Sequence, residues 1–306
     1  MSRRIFASLA VLLFVLGACA APVPKAAGPS PSTGFPVSVS DFQGRTVTVP
    51  KRPERIVSIG PSITEFLFAL GAGDRIVGVD DFSDEPPAAT KIEKLGGIKV
   101  NFERIVALQP EIVFILKLSD GTIERLAAIP LTVIVVDPQA ISEVASTATL
   151  VGKAVGADGD RLAKDIGRQV DEVKATTAKA ATRPRVYHEI DASDPTKIFT
   201  VGPGSYIHDL IGIAGGANIA ANATSAYPQL SAEQIVKSDP EIVVLAASDY
   251  SPKPDQIAAR PGWSQVTAVK ARRIVALPAN LVNRPGPRVG EAALAYAKAV
   301  HPELYR

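Results

Sequence analysis

Eleven consecutive residues of this 306-residue chain occur twice. Glu103-Arg-Ile-Val-Ala-Leu-Gln-Pro-Glu-Ile-Val113 returns as Glu233-Gln-Ile-Val-Lys-Ser-Asp-Pro-Glu-Ile-Val243, with seven positions identical. A second echo runs in the same order. Gly60-Pro61, a helical stretch and Leu70-Gly-Ala-Gly73 are answered by Gly202-Pro203, a helical stretch and Ala214-Gly-Gly216. Helix, proline, apolar strand is a common α/β unit, so one echo alone would decide little. Two echoes in one order, on either side of a stretch without strand pattern, indicate two lobes of similar build. Two such bodies leave a cleft between them, and a cleft is where a ligand binds.

The periodicity fills in the rest. Alternation on both sides of Gln43-Gly44 predicts a β-hairpin over 37–49. Short apolar strands at 56–59, 76–79, 111–116 and 131–136 alternate with helices at 62–70 and 101–108. That pattern implies a mostly parallel sheet covered on both faces. Residues 142–181 read as helix, interrupted near Gly156-Ala-Asp-Gly159, and the second part would run about 33 Å at 1.5 Å per residue. Strand and helix alternation then resumes at 185–190, 206–214, 241–245 and 273–277, and a last helix covers 289–300. The fold class is therefore α/β: two Rossmann-like lobes with mostly parallel sheets, joined by a long rigid backbone helix. The divisions are 1–19, 20–36, 37–141 for the N-terminal lobe, 142–183 for the helical linker and 184–306 for the C-terminal lobe.

The first two segments speak of export. Arg3-Arg4 precedes a short apolar run, Ile5 to Leu16, about 12 residues long, which suits a signal peptide better than a membrane span. Leu16-Gly-Ala-Cys19 resembles the lipobox of bacterial lipoproteins, and Cys19 is the only cysteine of the chain. The resemblance implies lipid on Cys19 and an extracytoplasmic, membrane-anchored location, on the periplasmic side or at the cell surface. Ser2-Arg3-Arg4-Ile5-Phe6 is also similar to a twin-arginine signal. The Pro-, Gly- and Ala-rich residues that follow cannot bury enough apolar surface to order themselves and read as a tether.

Charge and chemistry exclude several functions. Lysines and arginines number 33 and acids 31, and Arg3 and Arg4 leave with the signal, so the exported chain is formally neutral and has no field to gather nucleic acid. A single cysteine permits neither an internal disulfide nor a cysteine-based metal centre. His188, His208 and His301 are too scattered for a zinc or manganese receptor and read as surface or helix-end residues. No nucleophile elbow, dinucleotide fingerprint or phosphate loop is present. The expectation is a protein that is not an enzyme.

Pro53-Glu-Arg-Ile-Val-Ser-Ile-Gly-Pro-Ser-Ile-Thr-Glu65, Asn101-Phe-Glu-Arg-Ile-Val-Ala-Leu-Gln-Pro110, Ala214-Gly-Gly-Ala-Asn218, Pro261-Gly-Trp263 and Arg284-Pro-Gly-Pro-Arg288 together resemble the iron-siderophore/cobalamin family of periplasmic binding proteins. Within it the cobalamin receptors are the most similar. The resemblance implies an ABC-importer receptor with modest domain motion, no cofactor of its own, and cobalt or iron arriving only inside the ligand. It implies a corrinoid held by Phe82, Phe199, Tyr227 and Arg284, with Ile98 and Leu116 standing near positions where tryptophans are usual. Glu103 and Glu233, one per echo, would pair with arginines of an ABC permease dimer served by its ATPase. Asn101 and Ser231 read as helix N-caps in front of these glutamates. Glu65 completes Ser62-x-x-Glu65 and reads as a capping box, and Trp263 as packing. A ferric siderophore or haem is the other ligand compatible with this family. A lipoprotein sensor or adhesin reusing the fold is the reading from a different class. The receptor is expected to be a monomer.

Overall fold

In the computed structural model the described residues are 34–118, 120–194, 196–248 and 251–305. The signal segment, Cys19 and the tether before Gly34 lie outside them. The hairpin forms as the alternation requires, with β1 (Val37–Ser40) antiparallel to β2 (Thr46–Val49) and Val37 opposite Val49. Next come β3 (Ile56–Ile59), α1 (Pro61–Ala69), β4 (Ile76–Val79), α2 (Phe102–Ala107), β5 (Ile112–Ile115), α3 (Thr122–Ala127) and β6 (Thr132–Val135). Their four strands make an all-parallel sheet in the order β4-β3-β5-β6. Successive residues feed opposite faces: Ile56, Ile112, Phe114 and Ile134 enter one core, Val57, Val113, Ile115 and Val133 another. Both faces are covered, which is why the strands read as mostly apolar runs.

The strandless stretch is a pair of helices, α4 (Ile141–Val155) and α5 (Gly159–Thr177), with Gly156 in the left-handed region between them. The pair is pressed so close that a Cβ on Gly159 would stand 2.2 Å from the Ala148 carbonyl oxygen. Only glycine allows that approach.

The second half contains β7 (Arg185–Asp191), β8 (Ile198–Thr200), α6 (Tyr206–Ile213), β9 (Ala217–Asn218), β10 (Gln229–Leu230), α7 (Ala232–Ser238), β11 (Ile242–Ala247), α8 (Pro254–Ala258), α9 (Thr267–Lys270), β12 (Ile274–Pro278), α10 (Ala279–Val282) and α11 (Val289–Val300). Strands β9, β7, β11 and β12 pair in parallel, while β8 and β10 extend the sheet antiparallel. This mixed edge distinguishes the second sheet from the first.

The sequence echo is a structural repeat in its details. Gln109 and Asp239, each preceding a proline, both hold positive φ, 46° and 43°. The αR region is disfavoured before proline, and a left-handed residue ends each helix. Glu111 and Glu241 then donate their N–H groups to the carbonyls of Arg55 and Arg185. Those two arginines return the favour, donating to the carbonyls of Leu108 and Asp239.

One contiguous apolar cluster joins the sheets. It runs from Ile56 and Ile134 through Val144 and Val151 of α4 and Ile166 of α5 to Val186, Val244 and Tyr296. A close-packed interior transmits strain rather than bending. The helix pair therefore holds the two sheets as one framework.

His188 corrects its sequence reading. It is fully buried on the face of β7 toward α11, with its Nδ1 2.7 Å from the Tyr296 hydroxyl. Burial without a charge partner lowers its pKa to about 4. His301, by contrast, does cap the end of α11.

Candidate functional site

In both halves the loops that follow the parallel strands converge on one crevice, the place where α/β sheets bind ligands. A cavity of about 510 Å³ lies there, with Ser62, Phe82, Leu116 and Asp137 contributed by the first half. Ile190, Tyr227, Asn280 and Arg284 come from the second. Ile190 is shared with an adjoining, more polar chamber of about 780 Å³ floored by Glu189 and Arg260. Together these volumes suit a bulky ligand.

Three exposed large apolar side chains gather here. Phe82 is 53% exposed, Tyr227 42% and Ile190 39%. Large apolar groups left open to water in one place mark a binding surface. Leu116 also lines the cavity. Ile98, 88% exposed, sits beside Phe82: a Cβ on its neighbour Gly97 would meet the Phe82 ring at 3.1 Å. Phe199 stands apart from the cavity wall, on β8, opposite Asp191 and Gln229.

A buried polar network holds Phe82 in place. The Asp80 carboxylate accepts from the backbone N–H of Gly60 (2.8 Å) and of Phe82 (2.9 Å) and from the Ser83 hydroxyl (2.7 Å). Ser83, Thr64 and Ser58 continue the chain of hydroxyls behind it. Gly60 is required for this junction, because at φ 153° a Cβ would lie 2.6 Å from Leu116 Cγ.

Glu65 is not a capping residue. Helix α1 starts at Pro61 with Gly60 as its cap and no side-chain cap bond, so Ser62 already lies inside the helix. The Glu65 side chain instead points across the crevice. It accepts from Arg288 Nε (2.8 Å) and Nη2 (2.9 Å) and from Arg284 Nη1 (3.2 Å). Arg284 also donates to Asp84 (2.6 Å) and to the Phe82 carbonyl (3.0 Å). Hydrogen bonding to Glu65 raises the Arg288 pKa further. Arg284 thus lines the cavity with its charge already met by two carboxylates. Arg288 also braces the Asn280 carbonyl at 2.7 Å.

Asp137, two residues past the carboxyl end of β6, was missed by sequence reasoning. The rule that ligand groups sit at strand ends could have found it. Burial raises its pKa, with Lys117 and a Gln139 hydrogen bond opposing and Glu143 reinforcing. Across the crevice, burial and then the Asp137 charge raise the Tyr227 phenol.

Glu103 and Glu233 are both exposed in the first turns of α2 and α7, behind caps formed by Asn101 and Ser231. Glu103 touches Arg125 at 3.4 Å, and Arg125 lies over the Phe102 ring at 4.1 Å. Trp263 is fully buried, in edge contact with Tyr187. Among the described residues no group of three or more His, Cys, Asp or Glu could hold a metal ion, and no helix is long and apolar enough to cross a membrane.

A family model described as periplasmic binding protein matches residues 56–281. An ABC transporter substrate-binding lipoprotein of Bacillus subtilis, YvrC, is 31% identical over 313 aligned positions, covering 99% of this chain and 98% of that protein. A cobalamin-binding protein of Halobacterium salinarum is 31% identical over 312 positions, covering 97% and 83%. Among solved structures, the periplasmic heme-binding protein RhuT of Roseiflexus sp. RS-1 superposes with a TM-score of 0.70 at 25% identity, covering 81% of this chain and 99% of that one.

Proposed function

Because the chain belongs to the periplasmic binding protein family, the extracytoplasmic substrate-binding components of ABC importers, we propose that it captures a corrinoid in the crevice and delivers it to a permease. The ligand is held and released without chemistry, by a monomer tethered to the membrane through lipid on Cys19.

The observation that carries the choice of ligand is the charge of the 510 Å³ cavity. Its walls are apolar and aromatic at Phe82, Ile190 and Tyr227, which suits the flat face of a macrocycle. The guanidinium in the cavity wall, Arg284, is neutralised by Glu65 and Asp84, and Asp137 adds a carboxylate. Among the described residues lining that 510 Å³ cavity, Arg284 is the one lysine or arginine, and it is already paired. Ferric siderophores and haem commonly carry carboxylates or other negative oxygen groups, whereas a corrinoid presents neutral carboxamides around its ring and, in cobalamin, a single phosphodiester on the nucleotide arm.

Calorimetry of the protein without its first 33 residues tests this. Cobalamin and cobinamide are expected to bind with Kd of about 1 μM or tighter, about 8 kcal/mol. Tight binding of haem or a ferric siderophore with no heat from either corrinoid would overturn the ligand while leaving the receptor. Docking is assigned to Glu103 and Glu233. The double charge reversal Glu103→Arg, Glu233→Arg should leave ligand affinity unchanged and reduce uptake at least about tenfold, since like charges facing permease arginines repel. Normal uptake by that variant would remove their role.

A further inference from the structure

The carboxylate of Asp137 occupies a distinct position in the crevice. It follows β6 by two residues, lies on the wall opposite Tyr227 and is partly withdrawn from water. A carboxylate offers about four lone-pair sites, and the Gln139 side-chain amide beside it donates to the Asp137 main-chain carbonyl at 3.4 Å. Lys117, after β5, is exposed and stands outside the cavity wall. Glu143, from α4, gives its own carboxylate to the backbone N–H groups of Gln139 and Ala140. Asp137 therefore keeps acceptor capacity that faces the cavity, while the guanidinium across from it is already engaged.

We propose that Asp137 determines specificity by accepting N–H donors of the ligand's peripheral carboxamides and rejecting a carboxylate in their place. The inference rests on the corrinoid reading. An amide and the acid formed by its hydrolysis are nearly the same size, so apolar packing against Phe82 cannot separate them. A fixed carboxylate can. The amide gains a charge-assisted hydrogen bond, whereas the acid puts a second anion against the first in a site poor in water.

The test compares cobalamin with its monocarboxylates, each having one side-chain amide hydrolysed, at pH 7. The wild-type protein should bind at least one positional isomer about 100-fold more weakly than cobalamin, the scale of losing one hydrogen bond to a charged acceptor. Asp137→Asn keeps the shape and removes the charge, so the difference should shrink to about threefold or less. Asp137→Ser, which keeps a small polar group, should shrink it as well. Both variants should melt no lower than the wild type, because a desolvated charge has been removed. Corrinoid binding with undiminished discrimination in both variants overturns the role of Asp137 and leaves the receptor reading intact. Absence of corrinoid binding in the wild type overturns both.

Discussion

The Glu65→Gln variant should lose about 3 kcal/mol of stability in urea denaturation, at the lower end of the range for breaking a buried ion pair by removing one partner. Glu65 is 5% exposed and receives three hydrogen bonds from Arg284 and Arg288. Without its charge, two guanidiniums remain beside one another with no carboxylate between them. Arg284 keeps Asp84 and the Phe82 carbonyl, and Arg288 keeps the Asn280 carbonyl, which limits the cost. Glutamine retains the volume, so the loss reports charge and not a cavity. Replacing the pair together, Glu65→Met with Arg288→Met, should recover much of the stability, because apolar groups of similar size often substitute for a buried pair without net loss. A single variant within about 0.5 kcal/mol of the wild type would mean that this tie does not join the two halves. The same bonds fix Arg284 in the cavity wall, so ligand affinity should fall with Glu65→Gln even where the fold is kept.

That tie explains which parts of the molecule were legible in the sequence. The strands around Ile56, Ile112 and Val133 could be read because both sheet faces are buried and nearly every residue is apolar. The caps at Asn101 and Ser231 could be read because the bond closes within three residues. Glu65 was misread for the same reason. Ser62-x-x-Glu65 satisfies a local pattern, but Pro61 starts the helix one residue earlier, and the partners of Glu65 lie 219 and 223 positions away. No local rule reaches that far. Strands β8 and β10 have three and two residues, too few to show a period, and they form because β7 offers an edge. Of the candidate site, Phe82, Tyr227 and Arg284 line the crevice, while Asp137 carried no motif at all. Its importance comes from where the strand ends, which is a property of the fold.

His188 gives the second large effect. Between pH 7 and pH 4 the wild-type protein should lose about 3 kcal/mol of stability through this one side chain. The folded pKa is about 4 against an unperturbed 6.5, and burial is the cause. Above pH 6.5 the imidazole is neutral whether the chain is folded or not, and its contribution is complete. As pH falls from 6.5 toward 4, the unfolded chain takes up a proton that the folded chain refuses, and each unit costs about 1.4 kcal/mol. Below about pH 4 the folded protein is protonated too, and the loss stops growing. The physical reason lies on β7. Nδ1 of His188 faces the Tyr296 hydroxyl at 2.7 Å, and its Nε2 has no partner, so an imidazolium would carry an unmet donor inside the core. Carboxylates also titrate in this range, among them Asp137 with the opposite sign, since its raised pKa makes ionisation unfavourable as pH rises. The comparison that isolates His188 is the His188→Asn variant, whose amide can still meet Tyr296 but cannot take a proton. Urea titrations at pH 7, 5.5 and 4.2 should give a wild-type slope steeper than the variant's by about 1.4 kcal/mol per unit below pH 6.5. Parallel curves would mean that the imidazole is hydrated in solution. The core beneath Ile190, two residues further along β7, would then be looser than the packing described above.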